Sequence, residues 1–439
     1  MIITKAILII SLLTISSTMR AQDARSELQQ DVHRAAGIYY ALPAADAVPQ
    51  TPPPPGMKPF YISHYSCTAP HYLEPSKTYD EPLATLAHAD SLGKLTPLGH
   101  DVVMRLRRLS ENAYQRTGEL TASGIQLIRQ QAQQMANSIP EVLCEGSIID
   151  GRSIVLNRSI FSLQEAMLQL SRLTRYKCIH PKVSHKNDIW MNPEDKELEA
   201  QRTNAQVLAT YGKFKAANTD NSHLMQVLFN DDSYVTQYIH ADHLADQLFL
   251  LAGNIPHTDL TPSTTLFDIF TPQEIHRHWR VRNAWNYICY GGYTLNGGYQ
   301  PYTQRVPLWN LLHMSDSINM LSTPVTHLRY TTPTMLMSLA SLMELDSLGL
   351  QTDRLETIED RGWKDYAIAP LAGNIQIIHY RNGGPNSTEM VIKVLFNGHE
   401  ARLPIDTDCA PYYRWQDVKR YYLRKLYTYE KLRFQDKKK

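Results

Sequence analysis

Between Pro59 and Leu73 the chain reads Pro-Phe-Tyr-Ile-Ser-His-Tyr-Ser-Cys-Thr-Ala-Pro-His-Tyr-Leu, and this stretch constrains the fold more than any other. Phe60 to Tyr65 is rich in aromatic and β-branched residues and reads as a buried strand. Cys67 to Leu73 then reads as a loop at the strand's carboxyl end, the place where open α/β sheets hold their ligands.

The 439 residues suffice for one large domain with an insertion or for two domains. A charged fraction of 20%, a net charge of +1 and a hydrophobic fraction of 43% are ordinary for a chain with a sizeable core. Nothing in that balance asks for nucleic acid or an anionic membrane as a partner. Twenty-five Tyr against nine Phe fits an exported or carbohydrate-rich setting. Residues 1–21 combine an early lysine, the apolar run Ala6 to Leu13 and small residues leading to Ala21, which is the pattern of a secretory signal peptide. No Cys stands at the expected cleavage point, and no later run is apolar for long enough to anchor the chain in a bilayer. A secreted or periplasmic protein is therefore expected. The five cysteines, Cys67, Cys144, Cys178, Cys289 and Cys409, are sparse and odd in number. At least one stays unpaired or pairs between chains, at most two disulfides form, and no zinc pattern emerges.

Along the chain, residues 22–58 read as a lead-in that ends in the Pro-rich stretch Pro49 to Pro59. Thr96-Pro97 and Thr121 read as helix caps, each followed by a glycine (Gly99, Gly124) three residues on. Ser153 to Leu156 reads as strand, and Arg158 stands at the head of the helix behind it. Residues 175–290 are predominantly helical in pattern, and Thr271-Pro272-Gln273-Glu274 forms a capping box. Sheet-like sequence returns at His327-Leu328-Arg329-Tyr330 and Val391 to Asn397, after a helical run over Pro307 to Ser322.

Tyr61-Ile62-Ser63-His64-Tyr65, Pro55-Gly56-Met57-Lys58-Pro59, the two Leu-Thr-x-x-Gly segments and Leu328-Arg329-Tyr330 resemble the histidine phosphatases, and among them the multiple inositol-polyphosphate phosphatase branch. The resemblance covers most of residues 50–430 and is weakest over 175–290. It implies an α/β fold: a three-layer core (59–174 and 291–430) with a mostly parallel sheet flanked by helices, and an α-helical cap inserted at 175–290.

Such enzymes attack phosphorus with an imidazole, hold the phosphoryl oxygens with arginines and a second histidine, and protonate the leaving oxygen with a carboxylic acid. In the registers that the flanks imply, the nucleophile's position holds Thr68, and the two loop arginines fall on Cys67 and His71. The second histidine falls on Thr332, and the acid on Pro333 or Thr334. Only Arg158 matches a phosphate-binding group. The resemblance thus implies a catalytically inactive relative, needing neither metal nor cofactor, whose cleft takes a small phosphorylated or neutral ligand. The alternative is an active phosphomonoesterase on inositol phosphates with rearranged residues. His88-Ala89-Asp90 and His240-Ala241-Asp242 resemble the proton-donor tripeptide but stand outside its context, and His240 and His243 lack a third metal ligand.

Overall fold

The protein is described from a computed structural model that covers residues 23–43, 49–176 and 178–436. The signal-peptide reading of residues 1–21 lies outside the described residues. Ten strands occur among these: β1 (Met57–Cys67), β2 (Ile148–Ser153), β3 (Cys178–Val183), β4 (Gly292–Tyr293), β5 (Val325–Thr331), β6 (Gln351–Thr352), β7 (Asn374–Asn382), β8 (Met390–Phe396), β9 (His399–Glu400) and β10 (Tyr412–Arg414). The main sheet has the order β10-β8-β7-β1-β5-β2-β3, with β9 beside β8, while β4 and β6 pair separately. β1, β5, β2 and β3 are mutually parallel neighbours. β7 runs antiparallel to β1, and β8 antiparallel to β7, so β8 points the same way as the parallel group. The expected α/β architecture, with its mostly parallel sheet between helical layers, is the one observed.

The strand period explains the layering. Side chains alternate between the two faces of a strand, and β1 is buried on both. Tyr61, Tyr65 and Cys67 pack with residues of the helices Arg305–Asn319 and Pro333–Leu342. Ile62, one position out of phase, joins Leu328 and Tyr330 against the helices Ala122–Ser138 and Asn157–Leu173. A strand apolar on both faces has to be covered on both sides, which selects three layers.

A second core is built mainly from helices, joined by Tyr72 and Leu73 of the loop after β1. Val102, Leu106 and Leu109 of the helix Pro97–Ala113 pack with Leu244, Leu248, Phe249 and Trp279 from the inserted helices. The two Leu-Thr-x-x-Gly segments therefore serve different layers, the first in the helical core and the second on the sheet. Their glycines share one physical reason. A Cβ at Gly99 would lie 2.1 Å from the Leu228 carbonyl oxygen, and one at Gly124 would lie 2.2 Å from that of Pro70.

Within the stretch 175–290, expected to be a helical cap, Cys178–Val183 is instead the edge strand of the main sheet. The lead-in contains a helix, Ala24–Gln30, and a kinked 3-10 segment, Val32–Tyr39, both packed in the molecule. Glu27 accepts from Lys364 Nζ at 2.5 Å and from the Tyr366 hydroxyl at 2.8 Å, and the Tyr39 carbonyl accepts from His257 Nε2 at 2.7 Å. Cys67, Cys144, Cys289 and Cys409 carry free thiols. Among the described residues no helix is long and apolar enough to cross a membrane.

Candidate functional site

The parallel register sets the site. Cys67 of β1 is paired with Thr331 of β5, and Tyr330 of β5 with Ser153 of β2. The chain thus leaves three adjacent strands at one edge of the sheet, and Thr68 and Thr332 come out side by side. The helix Asn157–Leu173, entered just after β2, brings Arg158 to the same edge. Pro333 is the first residue of the helix Pro333–Leu342, and Thr332 Oγ1 lies 2.9 Å from Thr334 Oγ1.

The loop after β1 spends its polar groups on its own protein. The Cys67 thiol donates to the Pro370 carbonyl at 2.8 Å, and the Thr68 carbonyl accepts from Ala372 N–H at 2.8 Å. Ala69 N–H donates to Ser162 Oγ at 3.0 Å, Tyr72 N–H to the Glu119 carbonyl at 2.9 Å, and Leu73 N–H to the Tyr79 hydroxyl at 2.7 Å. Those three N–H groups are not available to an anion. The Pro70 carbonyl accepts from Thr121 N–H at 3.0 Å, and the His71 carbonyl accepts from Asn254 Nδ2 at 3.0 Å. Thr68 Oγ1 and Ser159 Oγ are buried without a hydrogen-bond partner.

Charge is equally confined. Arg158 forms an ion pair with Glu74, and the two side chains are 20% and 37% exposed, so Arg158 meets any ligand already neutralised. His71 is held neutral: burial is the main cause, Arg158 and His257 nearby add to it, and together they lower its pKa to about 4. Its Nδ1 lies 2.8 Å from the Ala69 carbonyl and must carry the proton, which leaves the lone pair on Nε2. Burial pushes the Cys67 thiol up to about 12, far from a thiolate. His64 lies in β1, on the same face as Ile62; it is buried and is lowered to about 4, chiefly by desolvation.

The residues singled out in the sequence are therefore placed as follows. Thr68, Thr332 and Thr334 stand together at the sheet edge, Arg158 and His71 lie close enough to influence one another, and the Cys67 side chain is turned to Pro370. The sequence reading missed Glu74, which occupies Arg158, and also Asn254 and His257. Glu74 had a signal, an acidic side chain three residues beyond His71 in the same loop; the other two come from distant segments. His88 to Asp90 lie inside the helix Lys77–Ser91, where Asp90 pairs with His100 at 3.0 Å. Among the described residues no group of three His, Cys, Asp or Glu is placed to hold a metal.

No family model matches the chain, and no curated protein matches it at the sequence level. Solved structures do match. The multiple inositol polyphosphate phosphatase of Bifidobacterium longum in complex with phosphate aligns with a TM-score of 0.72 at 14% identity, covering 88% of this chain and 96% of that one. The same protein with inositol hexasulfate gives 0.71 at 14% identity, over 88% and 97%. The phytase from D. castellii gives 0.63 at 12% identity, over 90% and 85%. At these identities the likeness is one of fold.

Proposed function

We propose that this chain, which shares its fold with the multiple inositol polyphosphate phosphatase of Bifidobacterium longum, is a secreted and catalytically inactive relative that acts by binding a ligand or partner. The observation that carries this reading is the pair Thr68 and Thr332 at adjacent strand ends, with the nearby Arg158 tied to Glu74. Phosphoryl transfer through the protein needs a nucleophile, several convergent cations and a proton donor. Here the matching positions offer hydroxyls, a protonated thiol and a neutral imidazole. A hydroxyl without a neighbouring base is a poor nucleophile at neutral pH.

One observation favours the second reading, an active phosphomonoesterase with rearranged residues. The His71 tautomer leaves Nε2 unprotonated beside Arg158, which is the form that an attacking imidazole needs. The two readings part in one assay. The purified mature protein is expected to release no phosphate above background from a generic aryl phosphate or from inositol hexakisphosphate between about pH 4 and 8. Turnover that disappears in both Arg158→Ala and His71→Ala, with the fold intact by circular dichroism, would replace the first reading by the second.

A further inference from the structure

A separate cavity lies where the N-terminal segment Val32–Tyr39 meets the helix Pro272–Tyr290, and it shares no lining residue with the loop after β1. Its volume is about 220 Å³, below the roughly 300–1,000 Å³ of drug-sized sites, which limits an occupant to a single small ring. Tyr211 and Trp285 form one wall, their ring centroids 4.8 Å apart and their planes at 42°. Gly37 lines the cavity from the N-terminal segment with φ at +61°, and a Cβ there would lie 2.7 Å from Asp365 Oδ2. Only glycine allows the backbone to come this close to the carboxylate.

Asp365 is 1% exposed, and its carboxylate accepts from Trp279 Nε1 at 2.9 Å and from Asn286 Nδ2 at 2.8 Å. That bond fixes the Asn286 amide, whose Oδ1 accepts no hydrogen bond among the described residues. The Arg282 guanidinium lies over the Phe249 ring at 5.7 Å and forms no ion pair or hydrogen bond among the described residues. It is close enough to the Asp246 and Asp365 carboxylates to stabilise both.

We propose that this cavity binds one neutral sugar ring, with its C–H face on Trp285 and Tyr211 and its hydroxyls on Arg282 and Asn286. The weakly positive C–H hydrogens of a pyranose suit the negative face of an aromatic ring. A guanidinium fork and an amide oxygen together match adjacent hydroxyls, which both accept and donate. One cation between two carboxylates gives no net positive field to hold a phosphate. A wholly apolar ligand would desolvate Arg282 without giving it a partner.

The test is isothermal titration of the mature protein with methyl β-D-glucopyranoside, methyl β-D-galactopyranoside and N-acetyl-D-glucosamine, with inorganic phosphate and D-glucuronate as anionic arms. Saturable binding of at least one neutral probe is expected, weakened about tenfold or more in Trp285→Ala and in Arg282→Leu. Should Trp285→Ala not fold, as judged by circular dichroism, Tyr211→Leu takes its place beside Arg282→Leu. The proposal is overturned if no neutral probe binds, if the variants bind as the parent does, or if either anion binds more tightly than every neutral probe. Arg158→Ala is expected to leave this binding unchanged, which separates the sugar site from the reading of the sheet edge.

Discussion

At the scale of single residues, the sheet edge offers little positive charge: Cys67, Thr68 and Thr332 carry none, His71 is held neutral, and Arg158 is paired with Glu74. Restoring histidines alone, as Thr68→His with Thr332→His, is therefore expected to produce no measurable turnover of an aryl phosphate. Arg158 remains bound to Glu74, three loop N–H groups remain bound to Ser162, Glu119 and Tyr79, and no acid stands at Pro333 or Thr334. Turnover by that double variant would mean that the pocket is still preorganised. The buried histidines carry a second prediction. His64, His71 and His257 are lowered to about 4, and His327 and His379 to about 3, in each case mainly by desolvation. Below pH 6.5 the unfolded chain takes up protons that the folded chain refuses, so stability is full above that value and falls as pH drops toward the folded pKa values. Each such group contributes a slope of about 1.4 kcal/mol per pH unit in that window. The unfolding midpoint is expected to fall steadily from pH 6.5 to 4.5, and His71→Gln to flatten the fall by about one proton; an equal slope in the variant would contradict this.

At the scale of elements, helix starts were the most readable feature. Thr96, Thr121 and Thr271 cap their helices through their side chains, and Glu274 completes the capping box, because a cap is a local contract between a hydroxyl and an N–H three residues on. The extent of helices was less readable. Within the helical stretch, Lys196–Arg202 and Ala205–Ala217 are separate helices, with Asn204 capping the second. The second glycine segment is where element and site meet. Thr121→Ala is expected to cost about 1 kcal/mol for the lost cap. Gly124→Ala is expected to cost more, about 2–3 kcal/mol, since its new methyl meets the Pro70 carbonyl and must push the helix off the loop. Urea unfolding of both variants at neutral pH tests the order, and a Gly124→Ala protein as stable as the parent would refute it.

At the scale of the whole molecule, the N-terminal segment joins distant parts of the chain, meeting His257 through the Tyr39 carbonyl and residues 364–371 through Glu27 and Leu42. Glu27 receives Arg34 at 2.9 Å, Lys364 at 2.5 Å and the Tyr366 hydroxyl at 2.8 Å, while Leu42 N–H reaches the Leu371 carbonyl just beyond the site. Glu27→Ala removes a carboxylate shared by Arg34, Lys364 and the Tyr366 hydroxyl, so it is expected to lower stability by about 3 kcal/mol. A melting temperature within one degree or so of the parent would exclude this role for Glu27.

What the sequence by itself determined follows from local chemistry. The apolar run of β1, the capped helix starts and the loop that follows β1 are each set by neighbours a few residues apart, and the resemblance these segments carry implied the α/β sheet that is observed. The tertiary structure alone decided the charge state of that edge. Arg158 is neutralised by Glu74 from 84 positions away, and His71 is made neutral by burial, with Arg158 and His257 nearby adding to it. Only the tertiary structure could place Gly37 against Asp365, or Tyr211 against Trp285. Desolvation and ion pairing depend on what the folded chain brings within a few ångströms, and no spacing along the sequence encodes that distance.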